Sequence, residues 1–202
     1  MFFKQIKYSG DNFSYVIADE DTRESAVVDP SFNVDAIVRL VKNEKLIVKY
    51  VIDTHSHFDH TAGNEEIKSV FDAKVVAHKL ADIDKDISVD DEDTLMVGKI
   101  AVHVIYTPGH TQDGICLLVD GKLLTGDTLF VGECGRTDMP GASSRDMYNS
   151  LFNKLMKLDD SVEVYPGHDY GSLPYSTIGL EKKTNYVLEK RTLDEFIAFM
   201  RS

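Results

Sequence analysis

Four strand-like segments of this 202-residue chain end in the same way, with an apolar stretch, a short turn and then a histidine or an aspartate. The first, Lys49–Asp53 (KYVID), is followed by the segment THSHFDHTAG. The others are KIAVHVIY before the turn to His110, KLL before the turn to Asp127, and VEVY before the turn to His168. A strand end is rigid, and the loop that follows can direct several side chains to one place. Four such ends in one chain are hard to explain separately, so we expect the fold to bring them together.

The densest segment holds four metal-binding types of side chain within six positions: His55, His57, Asp59 and His60. Residues two apart on an extended stretch point to the same side, so the first two imidazoles can face one point. Imidazole and carboxylate together suit zinc, iron or manganese. Closed structural zinc sites are typically rich in cysteine, and Cys116 and Cys134 do not form a C-x-x-C pair. The segment therefore predicts an open, catalytic metal site.

The remaining pattern predicts two similar halves, each rich in strands and then helical. The predicted strands are Phe13–Ala18, Ser25–Val28, Lys49–Asp53, Lys74–Ala77, Lys99–Tyr106, Gly114–Val119, Lys122–Leu124 and Val162–Tyr165. The predicted helices are Val34–Lys45, Ala62–Phe71, Ser144–Lys157, with Ser143 or Ser144 as its cap, and Leu193–Met200. We expect the acidic segment Asp82–Asp93 to be a solvated loop, because it lacks the central glycine of a calcium loop. Two sheets packed face to face with helices outside fit this order.

Composition narrows the classes of function. Lys and Arg number 22 against 34 Asp and Glu, a net charge of −12, which argues against nucleic acids and anionic membranes as partners. The apolar runs are too short to cross a bilayer, and the N-terminus lacks a secretory signal. With only Cys116 and Cys134, both expected to be packed thiols, we predict a cytoplasmic protein. The oligomeric state, including a homo-oligomer, stays open.

The motif H-x-H-x-D-H at 55–60, with the later His110, Asp127 and His168, resembles the metallo-β-lactamase fold superfamily over nearly the whole chain. The resemblance implies an α/β (α+β layered) chain, a four-layer αββα sandwich in which residues 1–202 form one domain. It implies two divalent metal ions, most simply zinc, with iron or manganese as alternatives. One ion would lie on His55, His57 and His110, the other on Asp59, His60 and His168, and Asp127 would bridge them. Such ions activate water, and Asp59 would be catalytic by orienting it.

The stretch Gly126–Asp138 (GDTLFVGECGRTD) resembles glyoxalase II, the hydroxyacylglutathione hydrolase, and its relatives the persulfide dioxygenases. The resemblance implies hydrolysis of hydroxyacylglutathione or a related thiol ester, with Arg136 and Tyr170 contacting the substrate. It also leaves open other hydrolases of the same fold. The 34 residues after His168 predict a short helical segment, without a full glutathione-binding C-terminal domain.

The second reading is a persulfide dioxygenase that oxidises glutathione persulfide or a similar compound. The stretches GRTD (Gly135–Asp138), HDYG (His168–Gly171) and TNYVLEKRTLDEFIAFM (Thr184–Met200) resemble that branch more closely. This reading implies a single iron on His55, His110 and Asp127, and the seven residues do not decide between the two reactions.

Overall fold

Two six-stranded sheets form the centre of the molecule in the computed structural model, which describes residues 1–7, 10–32 and 34–201. The strands of the first sheet, in order across it, are β1 (Phe2–Lys7), β2 (Phe13–Ala18), β3 (Glu24–Val28), β4 (Ile47–Ile52), β5 (Lys74–His78) and β6 (Ile87–Val89). In chain order, those of the second are β7 (Thr94–Val97), β8 (Ile100–Tyr106), β9 (Ile115–Val119), β10 (Lys122–Gly126), β13 (Glu163–Pro166) and β14 (Ser176–Thr177). Its spatial order is β14-β13-β10-β9-β8-β7, and β11 (Leu129–Phe130) pairs with β12 (Glu133–Cys134) as a separate ribbon.

Helices cover the outer face of each sheet. They are α1 (Val34–Asn43), α2 (Phe58–Thr61), α3 (Asn64–Phe71), α4 (Ser144–Tyr148), α5 (Ile178–Thr184) and α6 (Leu193–Phe199). Alternate residues of a strand face opposite sides. Thus Val16 and Val27 pack with Ile37 of α1, whereas Tyr15 and Val28 join the core between the sheets. A third cluster packs α4 and α6 against the second sheet. These layers confirm the predicted αββα sandwich.

All the predicted strands are present, with bounds that move by at most two residues. The turn Asp120-Gly121 has positive φ at both residues, as a tight hairpin requires. The acidic segment Asp82–Asp93 was predicted as a loop. This prediction is wrong at Ile87–Val89, which forms β6: Val89 is buried and pairs with His78. Ser143 caps α4, as predicted, by accepting a hydrogen bond from the backbone N–H of Asp146.

The predicted helix Ser144–Lys157 is helical throughout, but the type of helix changes along its length. After α4 the chain forms a π-helix over Asn149–Lys154 and a 3₁₀ turn over Leu155–Lys157. The π-helix places Ser150 where its hydroxyl donates to the carbonyl of Pro108 over 2.7 Å. The helix predicted at Ala62–Phe71 is present as α3, which begins two residues later at Asn64, whereas α2 and α5 were not predicted. Among the described residues, no helix is both long and apolar enough to cross a membrane.

Strand directions bring the predicted strand ends to one edge of each sheet. β3 runs parallel to β4, and β10 runs parallel to β13. β8 and β10 each pair antiparallel with β9, so they too run in one direction. The loops that follow β3, β4, β8, β10 and β13 therefore meet at the same end of the sandwich.

Candidate metal centre

All seven donor residues predicted from the sequence lie together at this end. Three sets of donor atoms fall within 4.8 Å of one another: His55, His57 and His110; Asp59, His60 and His168; and His55, His60 and Asp127. The first two sets are the two metal sites that the sequence resemblance implied. The third contains the predicted bridging aspartate.

The distances between donors fit bound ions. His57 Nδ1 lies 3.1 Å from both His55 Nε2 and His110 Nε2. His60 Nε2 lies 3.2 Å from His168 Nε2, and Asp59 Oδ2 lies 3.6 Å from the first and 3.4 Å from the second. Two nitrogens bound tetrahedrally to zinc at about 2.1 Å are roughly 3.4 Å apart. Each triad is therefore spaced to hold one divalent ion.

Asp127 lies between the two triads. Its Oδ1 is 3.4 Å from His60 Nε2, and its Oδ2 is 3.5 Å from His110 Nε2 and 3.4 Å from His168 Nε2. The side chain is buried, and among the described residues Oδ1 has no hydrogen-bond partner. A buried carboxylate oxygen without a partner is unfavourable, and a cation at this place would satisfy it. The position fits the bridging role that the sequence predicted.

The protonation of the cluster reflects burial and neighbouring carboxylates. Burial and the adjacent histidines hold the pKa of His55 well below its usual value, and burial also lowers the pKa of His57. Burial would lower the pKa of His60 too, but the charges of Asp127 and Asp29 outweigh it and raise this pKa to about 9. Burial alone would raise the pKa of Asp127, yet the facing histidines hold it well below its ordinary value. Protons thus balance the carboxylates here, and a metal ion would take their place.

A buried aspartate that the sequence analysis did not single out orients two of the ligands. Asp29 Oδ2 accepts hydrogen bonds from Thr54 Oγ1 (2.7 Å) and from His60 Nδ1 (3.0 Å), and Oδ1 accepts from the Thr54 backbone N–H (2.8 Å). Thr54 Oγ1 in turn lies 3.2 Å from His55 Nδ1. These contacts leave Nε2 of His55 and His60 facing the centre, as outer contacts of metal ligands do. A signal was present, because Asp29 also follows directly on an apolar strand.

Two further donor histidines, His110 and His168, direct Nε2 to the centre and have hydrogen-bond partners at Nδ1. His110 Nδ1 donates to the backbone carbonyl of Arg136 over 2.9 Å, and His168 Nδ1 lies 3.3 Å from Asp11 Oδ1. Asn12 Nδ2 donates to Asp59 Oδ2 over 3.0 Å. Asp11 and Asn12 were not predicted from the sequence, because they stand before β2 and carry no strand-end signal.

Gly167 explains why the last turn is Pro-Gly-His. A Cβ at this position would lie 2.4 Å from Asp127 Oδ1 and 2.8 Å from His60 Cε1. A side chain here would occupy the space between the triads. The absence of a side chain is thus a condition for the donors to converge.

A cavity of about 800 Å³ opens onto the donors, with His57, Asp59, His110, Asp127 and His168 in its wall. Both predicted substrate-binding residues line it. Tyr170 stacks on His168, with ring centroids 4.9 Å apart and planes within 2° of parallel. Arg136 is bonded to Asp138 through Nε (2.6 Å) and Nη2 (2.7 Å). Their contact with a substrate stays a prediction.

The sequence of this chain is similar to those of several known proteins. It is 34% identical over 180 residues to a probable polyketide biosynthesis zinc-dependent hydrolase, PksB, of Bacillus subtilis, covering 85% of this chain and 80% of that protein. It is 35% identical to a hydroxyacylglutathione hydrolase of Pelagibacter ubique (79% and 67% covered) and 29% identical to the human mitochondrial persulfide dioxygenase ETHE1 (93% and 75%).

A solved structure resembles the whole fold. The crystal structure of ETHE1 from Myxococcus xanthus superposes with a TM-score of 0.96 at 34% identity, covering 100% of this chain and 91% of that one. The family model of the metallo-beta-lactamase superfamily matches residues 9–168, which include all seven donors. The chain therefore belongs to the metallo-β-lactamase superfamily, in the branch of the hydroxyacylglutathione hydrolases and ETHE1 proteins.

Proposed function

We propose that this metalloenzyme hydrolyses a thioester of a small thiol, in the manner of glyoxalase II. The seven residue types alone do not decide between the two reactions, and the observation that carries the proposal is their arrangement as two complete donor triads with one buried carboxylate between them. A mononuclear site would use only part of this set. His168 belongs to the second triad only, and His60 belongs to that triad and to the group with His55 and Asp127. Both histidines are nevertheless buried, with Nδ1 of His60 on Asp29 and Nδ1 of His168 on Asp11.

The ligands of this chain divide into three roles. His55, His57 and His110 would hold one divalent ion, Asp59, His60 and His168 the other, and Asp127 would contact both. Bound divalent ions lower the pKa of a coordinated water and polarise a substrate carbonyl.

Asp59 is suited to handle the proton of that water. Its side chain is 42% exposed, against 9% for Asp127, and it faces the cavity. Asn12 holds Oδ2 by its hydrogen bond, which fixes the direction of the carboxylate. Asp59 can therefore accept a hydrogen bond from the attacking water. The water oxygen bonds to the carbonyl carbon, the carbon–sulfur bond breaks, and the products are a carboxylic acid and a thiol. A thiolate is a good leaving group because thiol pKa values lie near 8.5, so no separate acid is needed.

A second candidate is oxidation of a persulfide with a single iron on His55, His110 and Asp127. A specific observation favours it: the Myxococcus ETHE1 structure superposes on the whole of this chain with a TM-score of 0.96 at 34% identity. The motif GRTD, which the structure places in the cavity wall, also resembles that branch.

Metal content and two assays separate the candidates. We expect the purified protein to bind two zinc ions per chain, by elemental analysis, and to cleave thioesters. One iron per chain with oxygen uptake on glutathione persulfide would overturn the proposal. The variant His60→Ala removes a donor itself, so its thioester hydrolysis should fall by more than the roughly 10- to 100-fold that loss of an outer contact to a metal ligand costs. His103→Ala, an exposed histidine outside the cluster, is the matched control and should keep full activity. Circular dichroism of both variants checks that they fold.

A further inference from the structure

The cavity wall beyond the metal centre carries little positive charge. Apart from the donor residues, its charged side chains are Glu133, Arg136 and Asp138. Arg136 is the one arginine or lysine among the described residues of this wall, and it forms a two-point ion pair with Asp138. The charges of Arg136 and Asp138 cancel, so Glu133 gives the wall beyond the metal centre a net negative charge.

Glu133 is held at a fixed place in the wall. The hydroxyl of Tyr186 donates a short hydrogen bond to its Oε2, and Oε1 accepts from the backbone N–H of Cys134 over 3.1 Å. The bond to Glu133 raises the pKa of Tyr186 to about 12, so the phenol stays protonated at neutral pH. No arginine or lysine side chain is paired with Glu133 among the described contacts.

The rest of the wall is aromatic and apolar. Phe58, Phe130, Tyr170, Phe199 and Met200 line it, and Phe58 is 73% exposed at the mouth. The rings of Phe130 and Tyr170 meet edge to face, with centroids 5.0 Å apart. Such a wall binds hydrocarbon groups through burial and disfavours a carboxylate that must leave water beside Glu133.

We infer that this site selects thioesters whose thiol arm is uncharged and apolar, and discriminates against arms with free carboxylates such as glutathione. The inference rests on the proposed thioester hydrolysis. With the carbonyl at the metal centre, the sulfur-linked arm extends along Phe130, Tyr170 and Phe199 past Glu133. Repulsion between a substrate carboxylate and Glu133 near the surface is expected to lower kcat/KM about tenfold.

Two substrates with the same acyl group test this preference. We would measure kcat/KM of the metal-loaded enzyme for S-acetyl-N-acetylcysteamine, which is uncharged, and for S-acetylglutathione. The expected ratio is at least about ten in favour of the uncharged substrate at low ionic strength, shrinking in high salt because salt screens exposed charges. An equal or higher kcat/KM for the glutathione thioester would overturn the inference while leaving the hydrolase proposal intact. If neither thioester is cleaved, the hydrolase proposal fails and the inference falls with it.

A charge variant then tests the role of Glu133. Glu133→Gln keeps an oxygen that can accept from Tyr186 but removes the charge, and we expect the ratio to fall to about three or less. Glu66→Gln removes the same charge from α3, which does not line the cavity, and should leave the ratio unchanged. Loss of folded protein would lower the apparent kcat/KM for both substrates by the same factor, so it would not change their ratio or the salt dependence of that ratio. A ratio that Glu133→Gln leaves at its wild-type value would overturn the assignment to this residue.

Discussion

The substitution Asp29→Asn tests whether a residue that hydrogen-bonds to a predicted metal ligand determines which nitrogen of that ligand carries the proton, and thereby the metal affinity. The carboxylate of Asp29 accepts three hydrogen bonds, from the backbone and hydroxyl of Thr54 and from His60 Nδ1. An amide of the same shape has one acceptor oxygen and one NH₂ donor group. If the oxygen keeps the Thr54 backbone N–H, the NH₂ group faces His60 Nδ1. His60 must then carry its proton on Nε2, the atom that lies 3.2 Å from His168 Nε2 in the second triad.

The magnitude follows from the usual cost of losing such a contact, which is 10- to 100-fold in metal affinity, or about 1.4–2.7 kcal/mol. One effect has the opposite sign. Without the negative charge of Asp29 the pKa of His60 falls from about 9, so fewer protons compete with the metal in neutral solution. Metal titrations at pH 9 or above reduce this competition to at most about twofold, which is small beside the expected effect of the misplaced proton.

The assay is a zinc titration against a chromophoric chelator, which reports the affinity of each site separately. We expect weaker binding at one of two sites, the triad of Asp59, His60 and His168. Asp19→Asn is the control, because Asp19 is also buried and accepts bonds from the backbone N–H groups of Lys99 (2.7 Å) and Asp21 (2.9 Å). It should lower the melting temperature without changing zinc affinity. Wild-type affinity at both sites of the Asp29→Asn protein would refute the reasoning.

Three further predictions use other features of the centre. Gly167→Ala should weaken metal binding at least about tenfold in the same titration, because the new Cβ would meet Asp127 Oδ1 and His60 Cε1; unchanged affinity would contradict this. In the metal-free protein, carboxylates outweigh burial and hold the pKa of His60 at about 9, so below that pH a metal must displace a proton. Apparent affinity should therefore rise with pH up to about 9, with proton release detectable by calorimetry in two buffers, and a flat profile would exclude this coupling. Burial raises the pKa of Cys116 to about 11 and that of Cys134 to about 12, so iodoacetamide at pH 8 should label both only after denaturation; rapid labelling of Cys134 in the native protein would contradict its assignment as a packed, unreactive thiol.

The seven donors could be predicted from the sequence because each one stands beside its own local signal. An apolar strand and a tight turn mark His110, Asp127 and His168 within a few residues. The turns themselves are constrained, since Gly109 has φ of +151° and a Cβ there would lie 2.6 Å from the Met147 Cα. Residue types and turn chemistry alone are enough to find such positions. The grouping of the donors needed the family resemblance, and in the structure the donor atoms of each group lie within 4.8 Å of one another.

Elements without a periodic signal were missed. The strand β6 has three residues inside an acidic stretch, so only its pairing with β5 and the burial of Val89 distinguish it from a loop. The helix α5 begins at Ile178 with a cap from Thr177 that accepts a hydrogen bond from the Leu180 N–H. Its seven residues are too few for a helical repeat to stand out from chance.

Contacts between distant residues define the parts of the site that the sequence could not reveal. Asp11 meets His168 across 157 positions, and Glu133 meets Tyr186 across 53. Each of these residues alone is ordinary, and its role depends on which side chain the fold places beside it.

Arg136 shows how such a neighbour changes the chemistry inferred from one residue. In an acidic chain, an arginine in the wall of the cavity is a natural anchor for a substrate carboxylate. Here the Nε and Nη2 edge of the guanidinium, the edge best shaped for such a carboxylate, is already bonded to Asp138 two residues later. A substrate anion would have to compete with a tethered carboxylate for that edge, or bind the three remaining N–H groups of Nη1 and Nη2, where the charge of Asp138 already offsets that of the guanidinium. The Arg136–Asp138 pair and the unpaired charge of Glu133 therefore act in the same direction, toward a substrate arm that brings no negative charge of its own.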